Sequence, residues 1–191
     1  MTMLGPRFRQ ALDYAAVLHA DQRRKGAPVP YVSHLLAVTA LVLEHGGDED
    51  QAVAALLHDA VEDQGGLPVL EEIRRRFGDR PAAIVEACTD CDTLPKPPWR
   101  ERKERFIAAL GAAPAEARLV ILADKVHNVR TILLDYRTRG DEIWSIFRGG
   151  REGTLWYYRS LADVFARLAS TPLQEELDRT VSELERLAGT R

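Results

Sequence analysis

The chain has 191 residues, 46% of them hydrophobic, which is enough apolar surface for a core in a single domain, 1–191, with at most a helical extension. A formal net charge of −3 gives no bulk attraction to nucleic acid or an anionic membrane, so neither partner is expected; a small anionic substrate needs only a local basic patch. No apolar run approaches the roughly 18 residues of a membrane span, and the first ten residues lack an apolar signal core, so the expected compartment is the cytoplasm.

Gly and Pro punctuate segments that almost all read as helix. The first is predicted from Pro6 to Lys25, on Phe8, Ala11, Leu12, Ala15 and Leu18 at helical spacing. Gly26-Ala-Pro-Val-Pro30 then forces an extended stretch. A second helix starts near Ser33, read as its N-cap, and runs to Gly46-Gly47. The third, from about Glu49 to Asp63, is apolar around most of its circumference and reads as a buried central helix. Short helices follow over about 68–77 and 80–88, then a loop from Thr93 to Pro98, a charged helix from Arg100 to Leu110 and a long one over 115–135. The last helix opens with Thr171-Pro172-Leu-Gln174, a capping-box pattern with Pro at its first position. No two alternating runs are joined by a hairpin turn, so the fold class is all-α, a multi-helix bundle. Cys88 and Cys91 make a single Cys-x-x-Cys pair and read as reduced thiols at a helix end.

The chemistry concentrates in Ala54-Ala-Leu-Leu-His58-Asp59-Ala-Val-Glu62-Asp63. On a continuous helix these four ionisable residues fall within an arc of about 140°. Carboxylates on a buried apolar helix are costly unless a metal or charged partners compensate them. His58 and Asp59 offer one nitrogen and one oxygen ligand, and Glu62 and Asp63, one turn on, are placed to hold and deprotonate the attacking water. Asp124 is an acid inside another apolar helical segment, with Asn128 one turn away on the same face and better suited to a substrate than to a metal. His34 opens the second helix; alone it is as readily a capping or core histidine. Together His34, His58, Asp59 and Asp124 make a two-nitrogen, two-oxygen set compatible with Mn²⁺, Fe²⁺ or Zn²⁺. Arg23-Arg24-Lys25 reads either as a solvated helix end or as a phosphate clamp, with Lys96 able to serve likewise. His19 and His45 read as structural or exposed, and His127 points away from Asn128.

Gln22-Arg-Arg-Lys25, Pro30-Tyr-Val-Ser-His34, His58-Asp59 with Glu62-Asp63, and Ala123-Asp-Lys-Val-His-Asn128 occur in that order. They resemble the HD-superfamily hydrolase domain of the bifunctional RelA/SpoT alarmone enzymes. The match is closer to the stand-alone small alarmone hydrolases, the animal Mesh1-type enzymes among them, whose loop Thr93-Leu-Pro-Lys96 also resembles. The resemblance covers about residues 8–135. It implies an all-helical HD fold that uses Mn²⁺ to remove pyrophosphate from the 3′ position of (p)ppGpp. The implied metal ligands are His34, His58, Asp59 and Asp124. Glu62 and Asp63 would activate water, and Arg24 would stabilise phosphate charge. Lys25, Lys96 and Asn128 would contact the nucleotide or its phosphates. Arg151-Glu-Gly-Thr154-Leu-Trp-Tyr-Tyr158 faintly resembles the helix near the base, which nominates Arg151 and Tyr158 as substrate contacts. Residues 144–150 depart from the family's pattern, where specificity would be set, and, with no room for a synthetase domain, the expected alarmone role is hydrolysis only.

Three functions compete on these residues. The first is a (p)ppGpp 3′-pyrophosphohydrolase, whose site could also accept related nucleotides such as NADPH. The second is an HD phosphohydrolase of another nucleotide or phosphate ester. The third is a non-catalytic nucleotide-binding module. Arg24, Lys25 and Lys96 favour the first, because a bis-pyrophosphate needs more cations than a monophosphate. A degenerate module would be expected to have lost ligands or the Glu-Asp pair.

Overall fold

A computed structural model of the chain describes residues 2–90 and 95–189, and the all-α expectation holds throughout them. Among the described residues there are ten α-helices: α1 Pro6–Leu18, α2 Val32–Glu44, α3 Glu49–Leu57, α4 Ala60–Gln64, α5 Leu67–Phe77, α6 Asp79–Cys88, α7 Trp99–Ala109, α8 Ala115–Arg139, α9 Gly150–Leu168 and α10 Pro172–Gly189, with a 3-10 helix at Gly140–Ile146. The one extended pairing among the described residues is an antiparallel bridge between Arg23 and Pro30. No described helix is long and apolar enough to cross a membrane. The readings on Cys91 and on Thr93-Leu94 lie outside the described residues; Cys88 is half-buried at the end of α6.

The chain divides into two compact units, Met1–Lys96 with Ala113–Ala123, and Pro97–Ala112 with Asp124–Arg191. In the first, α3 is the central helix: Ala52 to Leu57 are all 0% exposed, and α1, α2 and α6 pack around them. Full burial of each Leu or Val side chain there contributes about 1.5–3 kcal/mol. A reciprocal capping box starts α3: Asp48 accepts the Gln51 N–H at 3.0 Å, and the Gln51 side chain accepts the Asp48 N–H at 3.1 Å. The Gln51 amide also donates to the Glu116 carbonyl at 3.1 Å, tying the start of α8 to the central helix.

Three sequence expectations need correction in this unit. The first helix ends at Leu18, not Lys25. Beyond Leu18 no apolar side chain at helical spacing pulls another turn onto the core. The backbone instead folds back on itself: the Arg24 N–H bonds the Val29 carbonyl at 2.9 Å and the Tyr31 N–H bonds the Gln22 carbonyl at 3.0 Å. Gly26, at φ 73°, makes that reversal possible. Arg23-Arg24-Lys25 is therefore a loop rather than a helix end. Ser33 is not the cap of α2; its hydroxyl donates to the Pro30 carbonyl at 2.8 Å, and Tyr31 occupies the N-cap position. Finally, the segment Glu49 to Asp63 is two helices, interrupted at His58-Asp59, where Asp59 sits at φ −98°, ψ −3°.

The second unit is built on α9, which packs against α7, α10 and the 3-10 helix. Leu161, Ala162 and Phe165 of α9 face Leu173, Leu177, Val181 and Leu184 of α10, all buried. The start of α10 follows the sequence: Pro172 is its first residue, and the Thr171 hydroxyl accepts the Gln174 N–H at 3.2 Å. Trp99, at the start of α7, lies across Gly149 and Gly153; a Cβ on Gly149 would meet its ring at 2.6 Å. Gly149→Ala should therefore overpack this contact and destabilise the fold by about 1–3 kcal/mol. Thermal unfolding should show Tm falling by roughly 2–4 °C per kcal/mol; an unchanged Tm would mean the indole is not seated there.

Candidate metal centre

His34 lies in the first turn of α2 and is fully buried; His58 and Asp59 occupy the interruption between α3 and α4. Their donor atoms converge. His34 Nε2 is 3.3 Å from His58 Nε2 and 3.4 Å from Asp59 Oδ2, and His58 Nε2 is 3.0 Å from the same oxygen. Two ligands bonded at about 2.1 Å to one ion stand about 3.0 Å apart at a right angle and about 3.4 Å apart at the tetrahedral angle. The triangle has those dimensions. His58 Nδ1 lies 2.8 Å from the Ala55 carbonyl, which can only accept, so Nδ1 carries the proton and Nε2 presents its lone pair. A cation among these donors would offset the repulsion between the His58 lone pair and the Asp59 carboxylate. The donor set thus fits a divalent metal, and the carbonyl bond orients the imidazole for it.

The surroundings hold the carboxylates in place. The Tyr31 hydroxyl donates to Asp59 Oδ2 at 2.6 Å, and its ring lies edge-on to His34 at 5.5 Å. On α4, Glu62 Oε1 accepts from Lys96 Nζ at 2.9 Å, and Asp63 Oδ2 accepts from the Gln22 amide at 2.8 Å. Burial of its head group, and next the neighbouring Asp59 charge, push the Asp63 carboxyl above the ordinary aspartate range. The Gln22 hydrogen bond and Lys96 oppose that, and Glu62 adds to it. Arg24 is half-buried with its guanidinium 5.6 Å from the Tyr31 ring centre, and Lys25 is exposed beside it.

Asp124 and Asn128 lie on α8 and belong to the second unit. The Asp124 carboxylate is buried, accepts from Lys125 Nζ at 2.6 Å through one oxygen and from the Asn128 amide through the other. Burial opposes the Lys125 charge, yet Asp124 beside it, with Tyr157, holds that ammonium well above the ordinary lysine range. Tyr158 is buried and edge-on to Tyr157 at 5.5 Å. Arg151 is exposed, and its guanidinium caps the Ala188 carbonyl near the end of α10.

Of the sequence-nominated residues, the structure gathers His34, His58 and Asp59 into one cluster of metal-capable donors, with Glu62 and Asp63 one turn on and Lys96 on Glu62. Tyr31, Gln22, Gln64 and Lys125 were not nominated, although three of them stand inside motifs already quoted. Tyr31 is three residues before His34, Gln22 opens Gln22-Arg-Arg-Lys25, and Lys125 follows Asp124. His19 is buried beside the site, stacked on Tyr31 at 5.2 Å, so its structural reading holds and an exposed one does not.

This all-helical fold with a His-His-Asp cluster at a helix junction is the architecture of metal-dependent HD hydrolases. A family profile described as HD domain matches residues 11–155, and the chain belongs to the HD-domain family. Within it, the chain is similar to the guanosine-3′,5′-bis(diphosphate) 3′-pyrophosphohydrolase MESH1 of Xenopus tropicalis, 42% identical over 126 residues, which is 64% of this chain and 68% of that protein. The human MESH1 is 39% identical over 126 residues, with the same coverage of both chains. Among solved structures, a metazoan ortholog of SpoT that hydrolyses ppGpp has a TM-score of 0.80 at 29% identity, covering 96% of this chain and 98% of that one.

Proposed function

We propose that the chain is a Mn²⁺-dependent (p)ppGpp 3′-pyrophosphohydrolase, releasing pyrophosphate and GDP or GTP. The observation that carries this reading is the His34–His58–Asp59 donor triangle with an acid pair one turn on, in a chain similar to proteins named for that reaction. Asp124 is the fourth ligand in this reading, its carboxylate held ready by Lys125 and Asn128. A bound Mn²⁺ would polarise the phosphoryl group and make water acidic enough to lose a proton near neutral pH. Glu62 and Asp63 orient the attacking water and take its proton. The new bond joins that oxygen to the 3′-linked phosphorus; the bond to the 3′ oxygen breaks, and the 3′ oxygen leaves with a proton as a hydroxyl. Arg24 offsets charge on the phosphates, and Lys25, Lys96 and Asn128 contact the nucleotide. Lys96 exchanges Glu62 for phosphate when substrate enters. Tyr158 and Arg151 serve the nucleoside end, and Arg151 must give up its bond to Ala188 to do so.

The test is the product. With Mn²⁺, ppGpp should yield GDP and intact pyrophosphate in one step, resolved by anion-exchange chromatography, and Arg24→Ala should impair this far more than hydrolysis of a simple monophosphate ester. NADPH, tested in parallel, reports whether the same site accepts a related nucleotide. Release of orthophosphate alone from ppGpp would replace the reading with that of a generic phosphomonoesterase.

A further inference from the structure

Behind Asp63 lies a hydrogen-bonded chain drawn from the fold-back after α1. Gln22 Nε2 donates to Asp63 Oδ2 at 2.8 Å, while Gln22 Oε1 stands 2.6 Å from His19 Nδ1 and accepts from Gln64 Nε2 at 2.6 Å. An amide oxygen only accepts, so His19 Nδ1 carries the proton toward Gln22. Reversing the Gln22 amide would set its oxygen against the Asp63 carboxylate and its NH₂ against that of Gln64, two repulsive contacts in place of three favourable ones. The Asp63 carboxylate, which can only accept, therefore sets its orientation.

The frame around the chain is packed and hydrogen-bonded. His19 is 2% exposed and stacked on Tyr31 with ring planes 17° apart, and the Tyr31 N–H is bonded to the Gln22 carbonyl. The same short segment thus holds Asp59 through Tyr31 and Asp63 through Gln22.

We propose that Gln22, locked by His19 and Gln64, is a positioning residue for hydrolysis: its amide N–H fixes the Asp63 carboxylate where it meets the attacking water. This rests on the reading of Asp63 as a member of the water-activating pair. Gln22 makes no contact with the donor atoms of His34, His58 or Asp59 in its own hydrogen-bond chain, so its loss should act on turnover rather than on metal capture.

The experiment compares Gln22→Met, which keeps length and removes the amide, with Gln22→Glu, which opposes Asp63 with a second carboxylate, and with Gln64→Met, which frees one side of the amide. Hydrolysis of ppGpp with Mn²⁺ is measured alongside Mn²⁺ affinity by calorimetry and Tm. The Met variant should lose about 10- to 100-fold in kcat, the range seen when an orienting partner is removed. The Glu variant should lose more and Gln64→Met less. KM, Mn²⁺ affinity and Tm should stay close to wild type. A wild-type kcat in Gln22→Met overturns the proposal, as does a kcat loss matched by falls in Mn²⁺ affinity and Tm, which would make Gln22 merely structural. Asp63→Asn separates the two layers: normal turnover in it removes Asp63 from the mechanism, whereas a dead Asp63→Asn beside a normal Gln22→Met overturns only the positioning role.

Discussion

His58→Ala is expected to lose tight Mn²⁺ binding and to lower kcat/KM for ppGpp by at least about 10³-fold, because polarisation by a metal contributes several kcal/mol and each 1.4 kcal/mol is tenfold in rate. His58 is 3% exposed, and its Nε2 stands within 3.0–3.3 Å of the other two donors. Its proton is committed to the Ala55 carbonyl, so it serves the cluster only as a lone-pair donor. Removing it leaves one nitrogen and one carboxylate oxygen of the triangle. Calorimetric titration with Mn²⁺ and steady-state hydrolysis of ppGpp measure the two losses. Chelator treatment of the wild type should reproduce the rate loss, and Mn²⁺ should reverse it in the wild type alone. Turnover by His58→Ala at the wild-type rate would refute the assignment of the triangle as the metal site.

Glu62→Gln should give the opposite pattern: metal affinity retained and kcat lowered by roughly 10²- to 10⁴-fold, the contribution of a positioned general base. Glu62 lies one turn beyond Asp59 on α4 and accepts a hydrogen bond from Lys96 at 2.9 Å. A glutamine keeps the length and can still accept that bond through its amide oxygen, so the local structure should hold. It cannot take a proton. Equal Mn²⁺ affinities with a collapsed kcat would separate the acid pair from the metal ligands by role. An unchanged kcat would remove Glu62 from the mechanism.

The helices were largely legible because their apolar positions recur at the helical period and Gly or Pro closes most of them; α5 and α6 start and stop within a residue of expectation, and α10 starts where expected. The two errors that matter lie at the site. Ala20-Asp-Gln-Arg-Arg-Lys25 has no breaker, and local propensity continues α1 through it. The alternative is visible only once Gln22 and Arg24 find their partners at Tyr31 and Val29. Likewise nothing in Leu57-His58-Asp59-Ala60 forbids a continuous helix. The interruption coincides with a local bond from the His58 ring to the Ala55 carbonyl and a distant one from the Tyr31 hydroxyl to Asp59.

From the sequence alone came the all-helical class, the buried α3, and the His34, His58, Asp59, Glu62 and Asp63 set. Ionisable side chains embedded in apolar helical segments are costly, and the order of their motifs resembles one hydrolase family. Tertiary structure alone decided that His34, 24 residues before His58, brings its Nε2 within 3.3 Å of it. It also decided that Tyr31 and Gln22 orient the two aspartates and that Lys96 rests on Glu62. Hydrogen-bond partners distant in the chain leave no periodic trace in sequence; they are selected when the packed backbone leaves each buried donor and carboxylate one place to go.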